Sequence, residues 1–515
     1  MLRRYTERIG SFFWGLYGCL FFSIFFCVLF FNKIFNYQPL LQLILLAAWG
    51  SLFWSALLLI RRFTPWLTAH LNLVLAAVLV FIFAVQFTIS LFTVPNPMYD
   101  HGKVFYGAVA FAEGADTEQF ATYSEYLHHY TNNVGLFLVL QLLFSCMRAV
   151  GITNYYLAAC LVGHLLFSLM LAACFFYLKG LAGERPALLF LPLAALFPPL
   201  YFQSTISYTD TYSIWAAPCA LLCAQRAGRA GTLPKKLLLG ALAGFCFGLG
   251  AQIKATVLIC AVALFIQLLL TGRLRRSLAV LAAGLALFCC VRYGFDLWAH
   301  RLVLDQDRAG EAMPVTHWLM MGLQGDGSYN WMDEWRITGT VSGTQARVEK
   351  NLQVIRQRLE EMGPLGYCRL LYTKTCRSFG SGTADMSYNY QYMNQSIPVN
   401  WLYELVLENG RCYFLYNNLA HSSYLALCLL GTMGALLVLL RRSSLRGSFV
   451  LPLSLTGFWL FMMLWESNHR QLINQWPFYL MLAALGLFLL SAPGNAKKTK
   501  KPANGLTSRA AHGIL

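Results

Sequence analysis

Ionisable side chains stand at the ends of long apolar segments in two parts of this sequence. Asp100 and His101 follow one such segment, and Glu466, His469 and Arg470 lie between two others. Holding such groups at the end of a membrane span costs free energy, so they usually mark a functional site. A carboxylate or an imidazole can take a proton from a hydroxyl group, and an arginine can bind a phosphate. These residue types would suit the transfer of a group from a phosphate to a hydroxyl.

Asp100 has the most specific setting of these residues. Pro95-Asn96-Pro97 ends the preceding apolar segment abruptly, and Lys103–Glu113 carries apolar residues at helical spacing. The pattern predicts an amphipathic helix at the outer membrane surface that begins with an acid. Asp100 is then either a general base or a helix cap. His101 is a weaker candidate, because a neighbouring residue on a helix points elsewhere.

The other polar residues beside apolar segments each have a functional and a structural explanation. Asp210 is a catalytic acid or the N-cap of the next helix. Lys254 binds a phosphate or is an ordinary lysine reaching from a span end to the membrane surface. Arg470 binds a phosphate or forms an i,i+4 pair with Glu466. Asn133 lies in a turn that is expected to start a helix.

Composition identifies the elements that must position these residues. The chain has 515 residues, of which 58% are hydrophobic and 12% charged. Repeated apolar segments of about 20 residues predict an all-α polytopic membrane protein. The net charge of +17 comes from basic residues in short loops between spans, which set topology, so we expect no nucleic-acid partner. The first apolar stretch, Phe12–Phe31, lacks a small-residue cleavage site and is expected to remain as a span.

Arginine and lysine in the loops orient the chain. Arg3, Arg4 and Arg8 precede the first span, so the N-terminus is predicted to be cytoplasmic, and the lysine-rich C-terminus likewise. Val134–Met147 is too short to cross and is interpreted as a helix on the outer surface. About twelve crossings result, at 12–31, 40–60, 71–93, 156–178, 187–202, 211–225, twice within 237–271 with a turn at 252–254, and at 277–293, 422–440, 448–465 and 472–491.

This topology divides the chain into four regions and gathers the polar residues on one face. The regions are a transmembrane catalytic module (1–295, with a first outer loop 94–133 and a surface helix 134–150), an extracytoplasmic loop region (296–421), C-terminal transmembrane helices (422–492) and a disordered cytoplasmic tail (493–515). The outer surface receives Asp100, His101, Glu113, Asp116, Asp210, Lys254, Glu466, His469 and Arg470. The site is therefore expected to be extracytoplasmic.

The large outer loop carries two further signals. Trp318–Trp331 is rich in aromatic residues and glycine, which suits sugar faces or lipid headgroups. Two helices are predicted at Val348–Met362 and Leu365–Phe379, broken by Gly363–Pro364. The basic residues of the second helix could contact anionic headgroups or an anionic acceptor, but a solvated face is the favoured interpretation; they are Arg369, Lys374 and Arg377.

Chemistry outside the cell cannot draw on ATP or sugar nucleotides. The sequence agrees with this, since it contains neither a GxxxxGK[ST] phosphate loop nor a GxGxxG opening a helix. A lipid-phosphate-linked sugar is a donor that is already energised. Its phosphate would bind Lys or Arg at the membrane surface, and Lys254 and Arg470 are the candidates.

At these residues the chain resembles the glycosyltransferase-C superfamily, in its protein-mannosyltransferase and aminoarabinose-transferase branch (family-39-like). Three departures from that pattern stand out: no proline follows Tyr130, His101 replaces a second acid, and Gln471 replaces a tyrosine. The matching stretches are Asp100 to Ala112-Glu113-Gly114, Tyr130 to Gly135 including Asn133, Ser207-Tyr208-Thr209-Asp210, Gly248 to Lys254, and Glu466-Ser467-Asn468-His469-Arg470.

The resemblance implies an integral membrane glycosyltransferase that uses a polyprenyl-phosphate sugar and inverts the anomeric carbon. It implies Asp100 as the base, and Lys254 and Arg470 as ligands of the lipid phosphate. His101 and Asp210 are further catalytic candidates, and the other candidates for substrate binding are Asn133, Tyr208, Glu466 and His469. Some relatives use a divalent metal and others none, and no second carboxylate stands beside Asp100 to argue for one.

The expected setting is a bacterial plasma membrane, with membrane lipids and a glycan, lipid or protein acceptor of the cell envelope as partners. The alternative function is a flippase or transporter of lipid-linked sugars. That class should carry polar residues at mid-membrane and broken spans in paired positions. Here the ionisable groups lie at span ends, which favours the transferase.

Overall fold

The computed structural model describes residues 2–384, 386–393 and 397–491, and every regular element within them is a helix. The predicted all-α fold is therefore confirmed. The helices are α1 (Leu2–Phe30), α2 (Pro39–Ala69), α3 (Leu71–Phe92), α4 (Tyr99–Glu113), α5 (Thr117–His129), α6 (Val134–Ala149), α7 (Tyr155–Ala182), α8 (Glu184–Ala195), α9 (Pro199–Gln203), α10 (Thr209–Ser213), α11 (Ala216–Arg229), α12 (Leu233–Ile253), α13 (Leu258–Leu270), α14 (Leu274–Leu302), α15 (Val315–Met321), α16 (Trp331–Arg336), α17 (Thr344–Phe379), α18 (Met386–Met393), α19 (Trp401–Val406), α20 (Tyr413–Leu440), α21 (Val450–Leu464) and α22 (Trp476–Ser491).

Many of these helices have the length and composition of membrane spans. In the described part of the chain, nine helices are long and apolar enough to cross a bilayer, and two shorter apolar helices, Ala255–Leu270 and Val450–Leu464, accompany them. Two segments predicted as crossings are interrupted: 187–202 is divided into α8 and α9 at Pro198–Pro199, and 211–225 into α10 and α11. The polytopic class predicted from the sequence is confirmed.

The chain breaks at two positions that the sequence predicted. Lys254 has an extended backbone (φ −153°, ψ 113°) between α12 and a 3-10 turn at Ala255–Val257. Gly363 has a φ of 60° inside α17, a conformation that favours glycine, and Pro364 follows it. The first break turns the chain at the end of a span. The second divides the long helix of the outer loop into two halves.

Close backbone packing holds α12, the helix that ends at Lys254. A Cβ atom on Gly244 would lie 1.9 Å from the carbonyl oxygen of Gly284 on α14, so a side chain cannot be accommodated there. Small residues commonly allow membrane helices to approach in this way. The contact fixes α12 against α14 and with it the position at which the chain breaks.

Aromatic side chains join α4 to α6, the predicted surface helix. The rings of Phe105 and Phe144 lie 5.2 Å apart, and those of Phe111 and Phe137 lie 6.3 Å apart. By length and composition the helix Thr131–Ala149 is one of the nine candidate spans, so the expectation that this segment is too short to cross is wrong. Its location at the outer surface stays a prediction. The span predicted to start at residue 422 starts earlier, since α20 begins at Tyr413. The predicted tail, 493–515, lies outside the described residues.

Candidate active site

Most of the predicted site residues open on one cavity of about 1980 Å³. They come from α4, the turn before α6, α10, the break after α12 and the segment between α21 and α22, so parts of the chain far apart in sequence converge here. The predicted residues that line it are Asp100, His101, Asn133, Tyr208, Asp210, Lys254, Glu466 and Arg470.

The carboxylate of Asp210 is fully buried between two cations. The Lys254 ammonium donates to Oδ1 of Asp210, and Nε of Arg470 lies 3.1 Å from Oδ2. Asn474 also donates from Nδ2 to Oδ1, at 3.5 Å. Two cations share one carboxylate, so this wall of the cavity keeps a net positive charge.

These contacts decide between the explanations that the sequence left open. Asp210 is not a helix cap, because the N-cap of α10 is Tyr208 and no side chain caps that helix. Lys254 is not reaching for the membrane surface, because its ammonium is bound to Asp210. Arg470 pairs with Asp210; an ion pair with Glu466 is not among those of the described residues. All three side chains therefore belong to one ion-paired group.

A chain of polar contacts leads from Arg470 to Asp100. The Arg470 guanidinium lies 4.5 Å from the centre of the Tyr208 ring, as in a cation–π contact. The Tyr208 hydroxyl donates to Oδ1 of Asn133 at 3.3 Å, and Nδ2 of Asn133 donates to the Tyr126 hydroxyl at 2.6 Å. The Tyr126 phenol in turn interacts with Asp100, whose carboxylate helps burial to raise the phenol's pKa. A continuous series of side-chain contacts thus links Arg470 to Asp100.

A glycine lets two of the contributing segments meet. A Cβ atom on Gly135, at the start of α6, would lie 1.9 Å from the backbone oxygen of Gln252. Only glycine permits this approach without displacing one segment. The contact brings the turn that carries Asn133 beside the break that carries Lys254.

Asp100 lies in the first turn of α4 but does not cap it. The N-cap is Met98, and its side chain makes no capping hydrogen bond. Tyr99 has a φ of 51°, which is unusual for a bulky residue, and Gly102 packs against the carbonyl oxygen of Pro97. Strained backbone of this kind clusters at functional sites. The Asp100 side chain is exposed and faces the cavity.

His101 also faces the cavity, so the expectation that it points elsewhere is wrong. Its ring centre lies 5.7 Å from that of Tyr208. Burial, followed by the nearby Arg470 charge, lowers the pKa of His101 to about 3. The imidazole is therefore neutral at physiological pH and can donate or accept a hydrogen bond.

Glu466 follows α21 on the segment that also carries Arg470. Burial raises the pKa of Glu466 to about 7, and the carboxylates of Asp100 and Glu334 add to this effect. The charges of Arg470 and Lys374 oppose it. Glu466 is consequently poised to gain or lose a proton near neutral pH.

Glu334 is a site residue that the sequence interpretation missed. It is buried, lines the cavity and accepts hydrogen bonds from two tyrosines: Tyr130 donates to Oε1, and Tyr329 donates to Oε2 at 2.5 Å. Its sequence signal was an acid in the short helix α16, directly after the aromatic and glycine-rich stretch. A second carboxylate of the cavity lining is thus held by two hydrogen bonds.

Lys374 is buried, so its interpretation as part of a solvated face is wrong. Its ammonium donates to the carbonyl oxygens of Gly322, at 2.9 Å, and Trp465, at 2.7 Å. Burial lowers the pKa of Lys374 to about 8. Arg377 pairs with Asp326 at 3.5 Å. The second half of α17 therefore fastens the outer loop to the segment that begins at Trp465.

His469 is the one predicted site residue that does not line the cavity. Its ring packs edge-on against Phe35, with the ring centres 5.9 Å apart. Among the residues that the structure describes, no group of three His, Cys, Asp or Glu side chains is placed to hold a metal ion.

One wall of the cavity is apolar. Leu258, Ile259, Val262 and Ile266 follow one another along α13 and line the cavity. From α21, the facing helix, Leu453, Leu460 and Phe461 do the same. The cavity thus joins a charged end to an aliphatic end.

A family model described as "Conserved hypothetical integral membrane protein" matches residues 12–488. The chain belongs to this family. Membership confirms that it is an integral membrane protein. No curated protein matches the sequence.

Three solved structures are similar to this chain in fold. The archaeal oligosaccharyltransferase AglB from Archaeoglobus fulgidus, in complex with an inhibitory peptide and a dolichol-phosphate, has 14% identity and a TM-score of 0.43 over 81% of this chain and 50% of its own. An Archaeoglobus fulgidus oligosaccharyltransferase tethered to an acceptor peptide has 12% identity and a TM-score of 0.43. The match covers 82% of this chain and 50% of that protein. ArnT from Cupriavidus metallidurans, bound to undecaprenyl phosphate, has 12% identity and a TM-score of 0.35. The match covers 81% of this chain and 77% of ArnT.

This chain spans about half the length of the two archaeal proteins. With TM-scores below 0.5, the function of this chain has to be argued from its own residues.

Proposed function

We propose that this protein is a membrane glycosyltransferase that moves a sugar from a polyprenyl-phosphate donor to a hydroxyl of an extracytoplasmic acceptor. The acceptor class is a glycan, lipid or protein of the cell envelope. The observation that carries the proposal is the pair of cations, Lys254 and Arg470, held by Asp210 on the wall of a cavity that also contains Asp100.

The pair of cations suits a lipid phosphate. Asp210 neutralises one of the two positive charges of Lys254 and Arg470. A phosphodiester with a single negative charge would neutralise the other. At 4 Å and an effective dielectric constant near 20, each cation–phosphate interaction is worth roughly 4 kcal/mol before desolvation is subtracted. Because Asp210 already orders both side chains, the phosphate finds its ligands in place.

The apolar wall suits the hydrocarbon part of the same donor. It continues from the charged end of the cavity along α13 and α21, both of which are apolar helices of the membrane region. Burying aliphatic carbon there is favourable by about 0.8 kcal/mol for each CH₂ group. A lipid phosphate is a ligand that needs both ends of such a cavity.

In this proposal Asp100, which lines the cavity, acts as the general base. Its carboxylate takes the proton of the acceptor hydroxyl while the oxygen forms a bond to the anomeric carbon. The bond from that carbon to the phosphate oxygen breaks, and the phosphate leaves with the electron pair. Attack opposite to the leaving phosphate inverts the anomeric configuration.

The orientation of the site belongs to the same proposal. Basic loops such as Arg226–Lys236 and Arg441–Arg446 favour the cytoplasmic side, which leaves the cavity on the outer side. A donor energised by its lipid phosphate is the kind that this compartment offers.

The proposal is tested by incubating the purified protein with a panel of radiolabelled polyprenyl-phosphate sugars and crude cell envelope. We expect release of polyprenyl phosphate, with the sugar recovered in envelope material, for one donor of the panel. Tight binding of a donor without any release would contradict transfer and favour a flippase.

A further inference from the structure

We propose that Glu466 is a second acid–base residue of this site, which gives a proton to the phosphate as it leaves. The inference rests on the proposed function and adds the partner that the base Asp100 lacks. It gives the site a complete route for the two protons involved in the transfer.

Position is the first reason. Glu466 lines the cavity and lies four residues before Arg470 on the same segment. Among the contacts of the described residues, its carboxyl group has neither a hydrogen bond nor an ion pair. Because the Glu466 carboxyl group has no partner within the described part of the protein, it is free to contact a ligand that Arg470 binds.

The second reason is the set of charges around Glu466. Asp100 of α4 and Glu334 of α16 disfavour its ionisation, while Arg470 and Lys374 favour it. Burial is the largest effect and raises the pKa of Glu466 to about 7, so this group can hold a proton near neutral pH. An anionic phosphate bound nearby would increase that fraction.

The third reason is that the segment is firmly held. Lys374 binds the carbonyl oxygen of Trp465, and the amide of Ser467 donates to the carbonyl oxygen of Gly327 at 2.6 Å. The Trp465 ring stacks on Trp318, with centres 5.4 Å apart. The residues on both sides of Glu466 are therefore fixed, and with them the backbone from which its side chain enters the cavity.

An acid at this point assists the departure of the phosphate. A phosphodiester carries one negative charge, and the monoester that leaves carries a second one. The proton of Glu466 goes to the leaving phosphate oxygen while the acceptor proton goes to Asp100. Afterwards Glu466 is ionised and Asp100 is protonated, and both exchange with water. Two carboxyl groups whose environments differ in this way commonly divide the acid and base roles.

The first test replaces Glu466 by Gln and measures kcat/KM against pH. An acid must be protonated, so wild-type kcat/KM should fall as pH rises through about 7, the pKa of Glu466. Glu466→Gln should lose this fall and be slower by roughly 10² to 10⁴ below pH 7. A variant that keeps both the rate and the fall would overturn the inference.

A donor with a better leaving group separates acid catalysis from a structural effect. A phosphorothioate is a weaker base than a phosphate and needs less help from an acid. The deficit of Glu466→Gln should shrink by roughly two- to tenfold with the phosphorothioate donor, whereas that of Asp100→Asn should not change. Equal deficits with both donors would contradict the assignment.

Substitutions of two neighbours of Glu466 should shift the fall of kcat/KM with rising pH in opposite directions. Glu334→Gln removes a negative charge and should shift the fall of kcat/KM to lower pH, whereas Lys374→Met removes a positive charge and should shift it to higher pH. Shifts in the same direction, or none in folded variants, would contradict the role of Glu466. If the wild type transfers no sugar from any donor, the proposed function fails instead, which is a distinct outcome.

Discussion

The two polar walls of the cavity carry their charges differently. On one wall Asp210 is buried between Lys254 and Arg470, and the three charges are paired. The acidic wall consists of three other lining residues, Asp100, Glu334 and Glu466; Lys374, whose charge also acts on Glu466, is bound to backbone carbonyls.

The difference shows how one cavity can hold and transform a ligand. Paired buried charges fix geometry, because removing any partner leaves an uncompensated charge in a low dielectric. Burial and the neighbouring carboxylates instead favour the protonated form of Glu466, against the opposing charges of Arg470 and Lys374. The paired wall is therefore suited to positioning a phosphate, and the acidic wall to moving protons.

The largest expected effect comes from breaking the paired wall at its centre. Asp210→Asn leaves two buried cations without their carboxylate, and breaking such a pair typically costs roughly 3–5 kcal/mol. We expect a markedly lower midpoint of thermal unfolding in detergent. Asp307→Asn is the matched control, since Asp307 is exposed and lies outside this cavity. Equal midpoints for the two variants would show that the three charges do not stabilise the fold.

A smaller effect is expected from removing one phosphate ligand while Asp210 and Lys254 remain paired. Arg470→Gln loses a charged hydrogen-bond donor, worth roughly 1.5–3 kcal/mol, or about 10- to 150-fold in donor affinity. We expect KM for the donor to rise by that factor. Arg411→Gln is the control, because the Arg411 side chain is 89% exposed. Unchanged donor affinity in Arg470→Gln would limit the role of Arg470 to its contact with Asp210.

The smallest effect tests the packing that brings both walls together. Gly135→Ala would place a Cβ atom 1.9 Å from the Gln252 carbonyl oxygen and force α6 away from the break at Lys254. Overpacking of this kind costs about 1–3 kcal/mol. Gly50→Ala is the control, because no atom lies within 4 Å of a Cβ built there. Activity should fall in the first variant and persist in the second; no difference in activity or unfolding would contradict the role of this contact.

Local patterns were enough to predict most of the long helices and the two breaks, but not the interruptions of 187–202 and 211–225. The break at Lys254 was predicted because the apolar segment around it is too long for one span and has basic residues at both ends. The break at Gly363 followed from a glycine and a proline inside a helical pattern. Both depend on neighbours in sequence, which is why they could be read without a structure.

The contacts of the site could not be predicted in the same way, because they join distant segments. The sequence placed Asp210, Lys254 and Arg470 on one face but gave no sign that they form one ion-paired group. Lys374 looked solvated because nothing local shows that Gly322 and Trp465 meet it. His469 was grouped with Arg470 by proximity in sequence, yet the turn at His469–Gln475 directs it to Phe35.

The most direct test of the account is turnover by Asp100→Asn in the polyprenyl-phosphate release assay, beside Glu118→Gln. Glu118 is an exposed acid that does not line the cavity. We predict that Asp100→Asn binds the donor with wild-type affinity but releases polyprenyl phosphate roughly 10² to 10⁴ times more slowly, while Glu118→Gln behaves as the wild type. Full turnover by folded Asp100→Asn would contradict the account, because the proton of the acceptor would then have to go elsewhere.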